Sequence, residues 1–342
     1  PEARPAHDSL PRFWGEVVQP RQGGAADRLS DPLTASGVVP AGASALEPES
    51  VAPLLPALDP AACTGCGLCW SACPDSAIGV TALGPEPLFT AASEIAGTEG
   101  DAADALRRAH KHLATRLAGE LPKSESAALD AATCQEAWGW VAGRLNLSDE
   151  ERPDYDAAFD ATLGVVDLLQ PVVTGPLFRE PEREQKGSGD LLVLAVDPRA
   201  CLGCELCIAA CPEDALAPVD RTGERVEELK RRWRTWEALP DTPGETLARA
   251  AEHADVGPLA ATLLSRHCGQ AQVGGSGGEA GSGERLSSRL VAALVEQHAQ
   301  RQMAGLLKRV EEQRANLEQK AREGLTEGLS EADLATLGEA LS

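Results

Sequence analysis

Two cysteine runs with the same spacing constrain this 342-residue chain more than any other feature of its sequence. Both follow the pattern C-x2-C-x2-C-x3-C-P. The first contains Cys63, Cys66, Cys69 and Cys73, and the second contains Cys201, Cys204, Cys207 and Cys211. A run of this kind ligates a cubane iron–sulfur cluster, and in chains with two runs the fourth cysteine ligates the other cluster. The spacing therefore predicts two 4Fe–4S clusters.

The shape of each run indicates which cysteine serves which cluster. Three thiolates spaced three residues apart can wrap one face of a cubane, whereas the fourth follows a short helical turn and points away. We therefore predict one cluster on Cys63, Cys66, Cys69 and Cys211, and a second on Cys201, Cys204, Cys207 and Cys73. We also expect Gly65, Gly67 and Gly203 to take the positive φ angles that such loops need.

Zinc is the main alternative occupant of clustered cysteines. Zinc sites usually present two separated cysteine pairs, whereas this chain has two complete triplets that each need a remote fourth ligand. Zinc is therefore disfavoured. Two further cysteines lie outside the runs. We expect Cys134 to be a small buried apolar residue, and Cys268 follows His267 without an evident third member of a nucleophilic site.

The charge balance limits the partners of the chain. Its 31 basic and 53 acidic residues give a formal net charge of -22. Nucleic acids and anionic membrane surfaces both attract Lys and Arg, so we expect neither as a partner. No apolar run approaches the roughly 18 residues of a membrane span, and no apolar signal-peptide core is visible. Ten clustered cysteines do not fit a secreted disulfide framework, which favours a reducing cytoplasm.

Sequence periodicity divides the chain around the two runs. The predicted fold class is α+β, with a bacterial-type two-4Fe–4S ferredoxin core, a large helical insert and a helical C-terminal extension. Apolar spacing predicts three packed helices in the insert, a buried strand at Leu191–Val196 and a long charged helix over 284–322. The expected segments are an extended N-terminal arm at 1–57, the core at 58–82 and 190–222, the insert at 83–189, a helical linker at 223–270, and a Gly-rich loop with C-terminal helices at 271–342.

The surroundings of the runs resemble the pyruvate:ferredoxin oxidoreductase family over most of residues 11–245. The matching stretches are FWGEVVQP from Phe13, DPLTASGVVP from Asp31, CTGCGLCWSACPDSAI from Cys63, VVTGPLF from Val172, LLVLAVDPRACLGCELCIAACPEDAL from Leu191 and RWRTWEALPDT from Arg232. In that family a ferredoxin-like domain relays electrons from oxidative decarboxylation of a 2-oxoacid to soluble ferredoxin or flavodoxin. The resemblance implies the same relay role and the same acceptors here.

Two departures from the family pattern restrict that role. GGSGGEAGSGERLSSRLV resembles the start of the family's thiamine domain, but Gly281, Ser282 and Gly283 stand where a cysteine pair would help bind a third cluster. The G-D-G-type motif that holds thiamine diphosphate is absent from these 342 residues. The resemblance therefore implies that thiamine diphosphate lies on a partner chain or a missing domain, and that this chain alone is not a complete enzyme. An iron–sulfur relay subunit of an unrelated redox complex and an assembly or scaffold protein with structural clusters remain alternatives.

Overall fold

The computed structural model describes residues 13–24, 52–98, 100–123, 127–145, 148, 151–274 and 279–326. The described residues fall into two compact units, which divide between Leu294 and Val295. Most of the predicted N-terminal arm lies outside the described residues, including the DPLTASGVVP stretch. The short helix predicted near Ser330 also lies outside them. Of the described arm residues, Trp14–Val18 and Gln19–Gln22 are helical, whereas those from Leu54 onwards form a strand.

Four strands and ten main helices are described. The strands are β1 (Leu54–Leu58), β2 (Ile78–Leu83), β3 (Leu191–Val196) and β4 (Leu216–Asp220). The helices are α1 (Leu68–Ala72), α2 (Pro85–Ile95), α3 (Asp101–Glu120), α4 (Ala131–Ala142), α5 (Arg152–Leu169), α6 (Leu206–Ala209), α7 (Gly223–Glu237), α8 (Gly244–Glu252), α9 (Gly257–Leu264) and α10 (Gly283–Thr326). Short helical turns occur at Leu121–Lys123, Gly175–Arg179, Glu180–Glu184 and Arg266–Gly269.

The strands form two separate antiparallel pairs that bring the cysteine runs together. β1 pairs with β4, so that Leu54 lies opposite Asp220. β2 pairs with β3, so that Ile78 lies opposite Val196. Each run leaves a strand of one sheet and enters a strand of the other, because the first run joins β1 to β2 and the second joins β3 to β4. The insert consequently leaves and re-enters the core on the two adjacent strands β2 and β3.

The segment between β2 and β3 contains four long helices rather than the three that periodicity predicted. The additional helix, α2, begins at Pro85, a position where proline costs no hydrogen bond. Before α5, Ser148 and Glu151 form a capping box, with the Ser148 N–H donating to Glu151 Oε2 at 3.0 Å. Aromatic rings occupy the centre of this helical core, where Trp138 stacks on Phe159 with ring centroids 4.8 Å apart.

The predicted amphipathic helix α7 packs its tryptophans against the sheet beside the runs. Trp233 and Trp236 are buried, and a Cβ at Gly79 on β2 would lie 2.7 Å from the Trp236 ring. This close approach requires glycine on the strand. The predicted long charged helix is present as α10, and its residues 301–322 are exposed. Within the described ranges, no helix combines the length and the apolar character needed to cross a membrane.

Candidate iron–sulfur sites

The two cysteine loops have the same backbone conformation at three equivalent pairs of positions. All six residues have positive φ angles: Gly65 (77°) with Gly203 (64°), Gly67 (81°) with Glu205 (60°), and Ser76 (52°) with Asp214 (49°). The sequence prediction for the three glycines is confirmed. Glu205 adopts the same left-handed backbone conformation although it has a side chain. Glycine would adopt this conformation at a lower cost in free energy.

The glycines of the first loop also meet neighbours that leave no room for a side chain. A Cβ at Gly67 would lie 2.4 Å from the Ala260 Cβ, and one at Gly65 would lie 2.8 Å from Thr174 Cγ2. In the second loop, a Cβ at Gly203 would lie 2.9 Å from the Ala52 Cβ. Backbone conformation and close packing therefore both favour glycine at these positions.

The first of two cysteine-lined cavities lies between the first loop and the end of the second. Its volume is about 20 Å³. Its cysteines are Cys63, Cys66, Cys69 and Cys211. Leu58, Trp70, Leu194 and Leu216 supply apolar walls. Three cysteines of one run thus share a cavity with the last cysteine of the other run.

The second cavity has the reciprocal arrangement and the same volume of about 20 Å³. Its cysteines are Cys201, Cys204, Cys207 and Cys73. Leu55, Ile78, Val196 and Ile208 are among its apolar walls. The two groups of four cysteines are those that the spacing predicts as ligand sets, and their ligation of clusters stays a prediction.

The electrostatics of the cavities follow from crowding several thiols into apolar space. All ten cysteines are free thiols. The pKa of Cys63 is raised to about 11, first by burial and then by the charges of Cys66 and Cys211. The pKa of Cys201 is raised to about 12 by burial and by the charge of Cys73, among others. The thiolate is the form of cysteine that binds metals. Because burial and neighbouring thiolates raise these pKa values, the cysteines would lose their protons readily only when a metal centre binds and stabilises the negative charge.

Backbone N–H groups point at the sulfurs and suit an anionic sulfur-ligated group. The Ala77 N–H donates to Cys73 Sγ at 3.3 Å. Backbone hydrogen bonds at Gly65 and Gly203 lower the pKa values of Cys63 and Cys201 and so oppose the effect of burial. Within the described segments, no group of three or more His, Cys, Asp and Glu side chains is arranged so that it could hold a single metal ion. The fit to iron–sulfur clusters rests on soft thiolate donors, N–H groups and apolar walls.

Shielding of the two cavities from water is unequal. Trp70 is buried, and its Nε1–H donates to the Ala260 carbonyl at 3.0 Å. Leu68 and Leu206, which lie next to predicted ligand cysteines in the sequence, are by contrast 48% and 37% exposed. All four cysteines of the first cavity are half-buried, whereas in the second only Cys204 is half-buried and the other three are buried. The first cavity consequently lies nearer the protein surface.

The two remaining cysteines line neither cavity. Cys134 is buried in α4, which confirms its expected role as a small apolar core residue. Cys268 is also buried, in the short helix Arg266–Gly269.

Arg289 is a residue of the second site that sequence reasoning missed. Its guanidinium donates to the carbonyl oxygens of Trp70 and Cys73, each at 2.8 Å, and to Ser76 Oγ at 2.6 Å. Arg289 stands 213 positions after Ser76 in the chain, and no motif links them. Only the packing of α10 against the first run reveals this contact.

Comparison with known protein families agrees with the geometry of both loops. Residues 56–79 and 194–217 each match the family model of the 4Fe–4S binding domain. No curated protein matches the chain. The chain therefore carries two 4Fe–4S binding domains in an α+β fold with ferredoxin-like motifs, and these domains support a role in electron transfer.

Proposed function

We propose that this chain is an electron-relay module that holds two 4Fe–4S clusters in a bacterial-type two-cluster ferredoxin core. The observation that carries the proposal is the exchange of fourth cysteines between the two cavities. Cys73 belongs to the first run but lines the second cavity, and Cys211 does the reverse. This exchange places the two groups of four thiols within one small core, as a relay between neighbouring clusters requires.

Each part of the chain has a distinct task in that role. The eight cysteines would supply the thiolates, and N–H groups such as that of Ala77 would stabilise the sulfur charge. Leu58 and Leu194 at the first cavity and Leu55 and Ile78 at the second exclude water. When bound, a 4Fe–4S cluster takes up and releases electrons at a potential set by hydrogen bonds and solvent exposure.

The metal content of the anaerobically purified chain tests the cofactor. We expect about eight iron and eight sulfide per chain, since two complete ligand sets are present. Zinc in place of iron, or only about half of that iron, would contradict the two-cluster proposal.

Paired cysteine substitutions test the exchange of ligands. Cys73→Ser and Cys204→Ser should damage the same cluster and leave the same residual electron paramagnetic resonance (EPR) spectrum after reduction. Cys211→Ser and Cys66→Ser should both leave the other spectrum. If Cys73→Ser instead leaves the spectrum seen with Cys66→Ser, each run ligates its own cluster and the proposed exchange is wrong.

We further propose that the relay works in a complex of the 2-oxoacid:ferredoxin oxidoreductase type. The support is the resemblance of the loop surroundings, from FWGEVVQP to RWRTWEALPDT, to that family. The electron donor would be a thiamine-diphosphate-binding subunit or domain, because oxidative decarboxylation of a 2-oxoacid needs a carbanion-stabilising cofactor. The acceptor would be a soluble ferredoxin or flavodoxin.

Reconstitution separates the relay from the complete reaction. The cluster-loaded chain should pass electrons from dithionite to ferredoxin. It should show no turnover of pyruvate with coenzyme A and added thiamine diphosphate until a thiamine-binding partner is supplied. Rapid pyruvate oxidation by the chain alone would refute the assignment of that chemistry to a partner.

A further inference from the structure

Arg289 is a fully buried cation next to a cysteine of the second site. Its side chain is 1% exposed, and with Ala293 it belongs to the buried face at the start of helix α10, whose residues 301–322 are exposed. A buried guanidinium carries a high desolvation cost unless its N–H groups are satisfied. Here the Nε and Nη1 groups donate three hydrogen bonds, and all three acceptors, on Trp70, Cys73 and Ser76, belong to the first run or to the turn that follows it.

The turn that receives Arg289 is held in place by a second segment. Ser76 Oγ donates to the Gln272 carbonyl at 2.6 Å, and the Gly274 N–H donates to the Asp75 carbonyl at 2.9 Å. The equivalent turn of the second run, Pro212 to Asp214, is exposed. The two loops therefore share a backbone conformation but differ in what covers them.

Two charged side chains near this turn, those of Arg289 and Asp75, influence the ionisation of the Cys73 thiol. Arg289 stabilises its thiolate and the buried Asp75 opposes that effect, and the arginine has the larger influence. Burial lowers the pKa of Arg289, but the neighbouring Cys73 and Asp75 oppose that shift and favour the charged form.

We propose that Arg289 raises the reduction potential of the cluster held by Cys201, Cys204, Cys207 and Cys73 above the value which that cluster would have without this cation. The proposal rests on the proposed function, since it requires a cluster in the second cavity. Reduction adds one negative charge to a cluster, and a fixed cation in a low-dielectric interior stabilises that charge. Arg289 is thus a positioning and tuning residue, which makes the two sites of the relay unequal in potential.

Potentiometric titration of the full chain, followed by EPR, tests this effect. Arg289→Gln keeps polar hydrogen-bonding groups but removes the charge, and Arg289→Lys keeps the charge. Arg301→Gln, at an exposed position further along α10, is the matched control. The signal of the second cluster is the one that Cys204→Ser abolishes.

We expect Arg289→Gln to lower the equilibrium constant for one-electron reduction of the second cluster on the order of tenfold, which corresponds to about 59 mV. The first cluster should shift much less, and both Arg289→Lys and Arg301→Gln should stay close to the parent chain. Asp75→Asn should shift the second cluster in the opposite direction, because it removes the opposing negative charge.

The outcomes distinguish this inference from the proposed function. A parent chain without two clusters would refute the function itself. Two intact clusters with unchanged potentials in Arg289→Gln would overturn only the role of Arg289, as would an equal shift in Arg289→Lys. If Arg289→Gln loses the second cluster, Asp75→Asn decides the matter, and an unchanged or lower potential in that variant overturns the inference.

Discussion

Replacing Gly67 by alanine should destabilise the first cysteine loop by about 2–5 kcal/mol. Two costs contribute. An alanine at a φ of 81° costs about 1–2 kcal/mol, because its Cβ crowds the following carbonyl in the left-handed region. The new Cβ would also lie 2.4 Å from the Ala260 Cβ and 2.8 Å from the Trp70 ring, and overpacking of this kind costs about 1–3 kcal/mol.

Glu205 supplies a matched control at the equivalent position of the second loop. It has a φ of 60°, but its side chain is exposed. Glu205→Ala keeps a Cβ in the left-handed region and removes only exposed atoms, so its unfolding free energy should change by less than about 0.5 kcal/mol. Glu205→Ala therefore controls for the loss of exposed side-chain atoms, whereas Gly67→Ala adds both the backbone cost and the contact with Ala260 and Trp70.

Anaerobic thermal unfolding of the cluster-loaded protein, followed by circular dichroism, measures the difference. At about 2–4 °C per kcal/mol for a unit of this size, Gly67→Ala should lower the midpoint by about 4–20 °C. A midpoint within about 1 °C of the parent protein would show that the loop relaxes without cost. An equal fall in Glu205→Ala would show that packing against Ala260 is not the cause.

Three further predictions concern pH, packing and salt. Burial lowers the pKa of His110 to about 4, so the unfolded chain binds more protons between about pH 6.5 and pH 4 and stability should fall by up to about 3 kcal/mol as pH drops through that range. His110→Gln should flatten the fall in thermal midpoint, whereas exposed His112→Gln should not. Trp70→Phe should cost about 1–2 kcal/mol in thermal unfolding, because the Ala260 carbonyl loses its donor; an unchanged midpoint would mean that water replaces the indole. Reduction of an acidic ferredoxin by this chain, with its net charge of -22, should accelerate in stopped-flow assays as salt screens repulsion, and a steep decrease would indicate a local basic docking surface.

The sequence alone determined the features that depend on a few neighbouring residues. The spacing of Cys63, Cys66 and Cys69 defines a loop, and glycines between them mark the left-handed positions that the structure contains at Gly65 and Gly67. The apolar stretch Leu191–Val196 is a buried strand, as predicted. Such features could be predicted because backbone conformation and alternation of burial are local properties of the chain.

Tertiary structure decided what covers each loop. Cysteine spacing alone predicts equivalent loops, yet Arg289 reaches the carbonyl of Cys73 while the turn after Cys211 is exposed. Leu68 and Leu206 likewise lie beside the cysteines in the sequence but are exposed. These differences depend on how distant segments such as α10 pack against the core, and residues more than 200 positions apart leave no periodic pattern in the sequence from which that packing could be predicted.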